Sequence, residues 1–74
     1  MQEDKRDRLE MQGEVVDDAN GKFRVKVNDN HIVLCTLSGK IRQNSIRIIL
    51  GDLVIIECSP YDVNMGRIIR RIKN

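Results

Sequence analysis

Ser38-Gly39-Lys40-Ile41-Arg42-Gln43-Asn44-Ser45-Ile46-Arg47-Ile48 interrupts a chain that otherwise reads as strand. The run before it, His31 to Leu37, is rich in Ile, Val and Leu and reads as a strand with Val33, Cys35 and Leu37 inward. Ser38 is placed to cap a short helical turn over Lys40 to Asn44, its hydroxyl oxygen accepting from a backbone N–H of the first turn. Gly39 lets the backbone bend sharply and keeps that piece short. Ile46, Ile48 and Leu50 then continue in an extended segment with Arg47 outward, and Gly51-Asp52 makes a turn. The same eleven residues set three fixed positive charges among small and polar neighbours, next to a strand end.

Upstream, Leu9 to Val16 alternates as a first strand, with Leu9, Met11, Gly13 and Val15 on one face. Asp17-Asp18-Ala19-Asn20-Gly21 follows as a turn, since Asn-Gly is a strong short hairpin signal. Phe23, Val25 and Val27 point inward from a second strand while Arg24 and Lys26 point outward. Asn28-Asp29-Asn30 makes the next turn, with Asn30 expected in the left-handed region. Downstream, Leu53 to Cys58 is a fourth strand with Val54, Ile56 and Cys58 inward. Pro60 ends its pairing because it has no N–H to donate. The loop from Pro60 to Gly66 leads to a fifth strand, Arg67 to Ile72.

Five short strands with a helical turn between the third and fourth match an all-β architecture, the small Greek-key barrel known as the oligonucleotide-binding (OB) fold. Closing the sheet removes the edges that invite aggregation. An SH3-like barrel also has five strands, and periodicity does not separate the two. Residues 1–8 are nearly all polar or charged and read as a flexible tail, leaving 9–74 as a single domain. At 74 residues the chain has little core to spare for a deep substrate cavity.

The net charge of +2 hides an asymmetry. Residues 1–21 carry three basic and seven acidic side chains, whereas residues 22–74 carry ten basic and four acidic. The positive excess therefore lies with the strands and loops, as a phosphate-binding surface requires. The candidate contacts are Arg24, Lys40, Arg42, Arg47, Arg67, Arg70, Arg71 and Lys73, with Tyr61 as the candidate stacking ring. Phe23 is in phase with the core, so Tyr61 is the one aromatic left over. A single platform cannot support the base stacking on which sequence-tolerant single-strand binders rely. Affinity must come from phosphate contacts, and recognition from the shape of a folded RNA.

Catalysis fails on inventory. His31 is the only histidine and reads as a surface imidazole. Ser38-Gly39-Lys40 lacks the upstream Gly and the following Ser or Thr of a nucleotide loop. Cys35 and Cys58 are far apart in sequence, lie in apolar runs, and read as buried reduced thiols. Two Cys and one His make no convincing zinc site. No run is long enough for a membrane span and no signal peptide is evident, so the chain is expected to stay where it is made.

The order Glu10-Met11-Gln12-Gly13, Phe23-Arg24-Val25, Ser38-Gly39-Lys40-Ile41-Arg42, Ile46-Arg47-Ile48, Gly51-Asp52, Pro60-Tyr61-Asp62 and Gly66-Arg67-Ile68 resembles the bacterial-type translation initiation factor one family. The resemblance runs from about Leu9 to Arg71. It implies an OB barrel that docks in the aminoacyl site of the small ribosomal subunit and confines initiator tRNA to the adjacent site. The implied partners are the small-subunit RNA, a neighbouring ribosomal protein, and the second and third initiation factors. The protein would act as a monomer in the cytoplasm or in plastid stroma. The family's RNA contacts carry over to Lys40, Arg42, Arg47, Tyr61, Arg67 and the basic last strand, with the Asp17–Lys22 turn near the RNA. Departures are Thr36 for a frequent His, Asn30 for Gly, Met65 for a basic residue and Arg70 for an apolar one. Two other readings stay open: a protein adaptor using outward Ile32, Leu34, Leu53 and Ile55, and a general RNA chaperone.

Overall fold

A computed structural model describes residues 8–19 and 21–73, the last of them for its backbone only. The remainder of the expected 1–8 tail, and Asn20 of the first turn, lie outside the described residues. Five strands run β1 Leu9–Ala19, β2 Lys22–Asn28, β3 His31–Leu37, β4 Leu53–Ser59 and β5 Asp62–Lys73. One helix, α1 Gly39–Gln43, lies between β3 and β4. The strands close in the order β1-β2-β3-β5-β4, with β4 pairing back to β1. Only β3 and β5 run parallel. This mixed five-stranded closure with its helix after β3 is the OB arrangement.

The alternation in the sequence accounts for the core. Val15, Phe23, Val25, Val33, Cys35, Val54, Ile56 and Ile68 fill the barrel, and Ile41 and Ile48 close one end of it. Ser38 caps α1 as its sequence suggests: its Oγ accepts from the Ile41 N–H at 3.2 Å. Gly13 lets β2 pack tightly on β1, since a Cβ there would lie 2.8 Å from the Lys26 carbonyl oxygen.

Several boundaries differ from the expectation. Asp17 and Asp18 belong to β1, not to a turn, because a bulge at Val16 shifts the register and lets pairing continue to Ala19↔Lys22. Asn30 does not take a left-handed backbone; among the described residues outside Gly only Ser45 has positive φ. The Asn28 side chain instead accepts from the Asn30 N–H at 2.9 Å and holds that turn. β5 begins at Asp62 rather than Arg67, because Met65 and Gly66 already pair with Leu34 and Cys35 of β3. Leu9 and Leu50 are exposed, and Leu37 and Val27 only half-buried, since all four lie towards the ends of the barrel wall. His31 is half-buried rather than a surface imidazole.

Strand direction fixes which loops share an end. The β1–β2 tip, α1, residues 44–52 and the last residues of β5 lie at one end. The β2–β3 turn, the Pro60–Tyr61 turn and the start of β1 lie at the other.

Candidate nucleic-acid interface

Seven of the ten expected contacts gather at the α1 end. Lys40 and Arg42 stand exposed on α1, and Arg47 follows it on the extended segment. Arg71 donates from Nη1 to the Arg47 carbonyl oxygen at 3.2 Å, which ties β5 to that segment. The same backbone run is anchored from below. Buried Asp52 accepts through Oδ2 from the Ile49 N–H at 3.0 Å, and its carbonyl accepts from the Val15 N–H. Two register shifts in the last residues of β5 break its alternation, so Arg70, Arg71 and Ile72 are all exposed. Lys22 opens β2 at this end, and Lys73 closes β5 there by its backbone position.

Three candidates lie elsewhere. Arg24 is on the outer wall, paired with Asp17 at 3.5 Å, so part of its charge is met inside the protein. Arg67 is midway along β5. Its Nε donates to Glu57 Oε1 at 2.7 Å and Nη2 meets the same oxygen. Tyr61 is 80% exposed in the turn at the opposite end. Ten residues of strand rise separate it from Arg71, roughly 30 Å of chain. Basic residues from β2, α1, the Arg47 segment and β5 therefore share the α1 end, and Tyr61 is remote from it.

The side wall holds a feature the sequence reading missed. Glu57 also accepts from Arg8 Nη1 at 2.8 Å, so one carboxylate serves two guanidinium groups. Burial alone pushes the Glu57 carboxyl up, but the hydrogen bonds and charges of Arg67 and Arg8 together outweigh it and hold it below its usual range. Beside this group β5 leaves β4 between Asp62 and Gly66. An open cavity of about 300 Å³ lies there, lined by residues that include Thr36, Cys58, Ser59 and Gly66. The only available signal was that Glu57 stands outward between Ile56 and Cys58; its partners are distant in sequence.

The thiols offer no nucleophile. Burial, and then the charge of Cys58, push Cys35 up to about 12. Burial and the neighbouring Asp62 raise Cys58 as well. Among the described residues no three His, Cys, Asp or Glu side chains group to hold a metal ion. No helix there is long and apolar enough to cross a membrane.

The family model for translation initiation factor 1A / IF-1 matches residues 2–74. The chain belongs to the IF-1 family of translation initiation factors. A solution structure of the IF-1 translation initiation factor from the Wolbachia endosymbiont strain TRS of Brugia malayi is similar to it, with 43% identity and a TM-score of 0.77. That match covers 93% of this chain and 83% of the other. The crystal structure of YjeQ from Thermotoga maritima is also similar, with 28% identity and a TM-score of 0.71 over 86% of this chain, but only 23% of YjeQ. IF-1 proteins are non-enzymatic translation factors that bind the ribosome, in keeping with a barrel that displays cations rather than a nucleophile.

Proposed function

We propose that this IF-1 protein binds the aminoacyl site of the small ribosomal subunit through its α1 end, without altering any covalent bond. Lys40, Arg42, Arg47, Arg70 and Arg71 engage phosphates of the decoding-region RNA, with Lys22 and Lys73 at the margin. Occupying and reshaping that site confines initiator tRNA to the adjacent peptidyl site. The second and third initiation factors act with it, and a neighbouring small-subunit protein completes the contact. Residues 9–74 work as one monomeric domain in the cytoplasm or plastid stroma, and no cofactor takes part.

The observation that carries this reading is the convergence of basic side chains from α1, the Arg47 segment and β5 on one end of the barrel. Phosphate binding releases counterions, so affinity must fall steeply with salt. Arg42→Ala and Arg47→Ala are each expected to weaken binding to purified small subunits about five- to tenfold near 0.1 M salt. Each should lower the salt slope by about one. Both side chains are exposed, so thermal stability should hardly change. Affinity indifferent to salt and to both substitutions would overturn the reading. Equal affinity for subunits and for unstructured oligonucleotides would favour a general RNA chaperone instead.

A further inference from the structure

Four strands place a row of side chains across the outer wall: Glu10 opposite Glu57, Glu57 opposite Arg67, and Arg67 opposite Thr36. Two carboxylates facing each other across a strand pair repel. Arg67 and Arg8 offset that repulsion by closing on one oxygen of Glu57, Oε1. The Glu57 side chain is only 14% exposed, so water screens it less than a surface charge. Arg67 makes both contacts through its Nε–Nη2 edge. The Glu57 carboxylate offsets one unit of the positive charge that Arg67 and Arg8 bring to the wall, and Glu10 lowers the field further.

We propose that Glu57 is a specificity-determining residue: by holding Arg67 and Arg8 to its own carboxylate, it weakens the hold of the barrel wall on unstructured RNA. The inference rests on the RNA-binding reading above, and adds how the protein discriminates. A loose single strand samples every cationic patch and is retained by each uncompensated charge it finds. A folded RNA docked on the α1 end gets its binding from that end and is little affected by the wall. An internal anion under the wall therefore costs loose RNA more than it costs the folded target. That difference, not affinity itself, is specificity. Arg67 in this role is held in reserve and does not act as an open phosphate clamp.

The test uses the full chain, a fluorescent single-stranded RNA twelve-mer without secondary structure, and purified small subunits. Glu57→Gln keeps the shape and removes the charge. It should bind the twelve-mer about threefold or more tightly at low salt, the scale expected for deleting one nearby charge in water. Its salt slope should steepen by about 0.7, one further phosphate. Its affinity for subunits should rise by less than that for the twelve-mer. Glu57→Asp, which retains the charge, should restore most of the wild-type discrimination; a purely packing role for the longer side chain would not be rescued. A second measurement needs no variant: the Arg67 Nε–H resonance of the wild-type protein should stay protected when the twelve-mer is added. An unchanged or weaker twelve-mer affinity in Glu57→Gln, an equal gain for both RNAs, or loss of Arg67 protection would overturn the proposal. Wild-type protein that binds the twelve-mer but no subunits would tell against the ribosomal reading, and the comparison at Glu57 would still decide this one.

Discussion

Cys35 and Cys58 flank the same residue, Gly66, from β3 and from β4. Gly66 is inward in phase with Ile68 and has no side chain; a Cβ there would sit 2.5 Å from the Glu57 carbonyl oxygen and 3.2 Å from the Cys58 Cβ. The β4 backbone takes up the space that this glycine leaves, and the Cys35 thiol points to the Val33 carbonyl oxygen at 3.7 Å. Both thiols are free, and burial disfavours their charged forms. An unfolded thiol ionises near its ordinary value while the folded Cys35 stays neutral up to about 12. Between those values the unfolded chain holds fewer protons, so stability falls as pH rises. The slope for one such group approaches about 1.4 kcal/mol per pH unit. Urea melts at pH 8 and pH 10 should show wild type losing about 1 kcal/mol more than Cys35→Ala over that interval. Equal losses in the two proteins would mean that Cys35 ionises freely in the fold.

At the scale of elements, α1 is the piece that cannot stand alone. Five residues are far below the length at which a helix persists in water, so its stability comes from the barrel. Ile41 supplies most of it, lying 2% exposed over the core, and the Ser38 cap supplies the rest. Ile41→Ala should cost about 2–5 kcal/mol, and Ser38→Ala about 1 kcal/mol, both by chemical unfolding. The reverse order would place the helix's support in its cap. These same elements show what a sequence discloses. Alternation at Phe23-Val25, Val33-Cys35 and Val54-Ile56 gave the correct inward face for β2, β3 and β4, because each strand buries one face and the extra residues of the register shifts fall outside these stretches, at Val27 or in β5. Ser38 and Gly39 revealed α1 through local capping chemistry. The bulge at Val16 and the register shifts in β5 were hidden, since each depends on the partner strand and not on local composition. Nothing local in the sequence separates Tyr61 from Arg42 as candidate contacts; strand direction places them at opposite ends. Glu57 escaped notice because it takes its meaning from Arg8 and Arg67, 49 and 10 residues away.

For the whole molecule, the separation of Tyr61 from the α1 end has an energetic corollary. Side chains this far apart with no shared partner act independently, so their effects on binding should add within about 0.5 kcal/mol. A double-mutant cycle with Tyr61→Ala and Arg42→Ala, read on small subunits, should show coupling no larger than that. A larger coupling would mean that both ends grip one rigid RNA element, or that the barrel deforms on binding. The closure of the barrel carries a different consequence. β5 completes the sheet by bridging β3 and β4, and β4 in turn joins β1, so the ring stays open while β5 is absent. A nascent copy of this protein therefore has no finished barrel to collapse into until those closing residues have left the exit tunnel. Its β1–β2–β3 meander must remain protected from aggregation in the meantime.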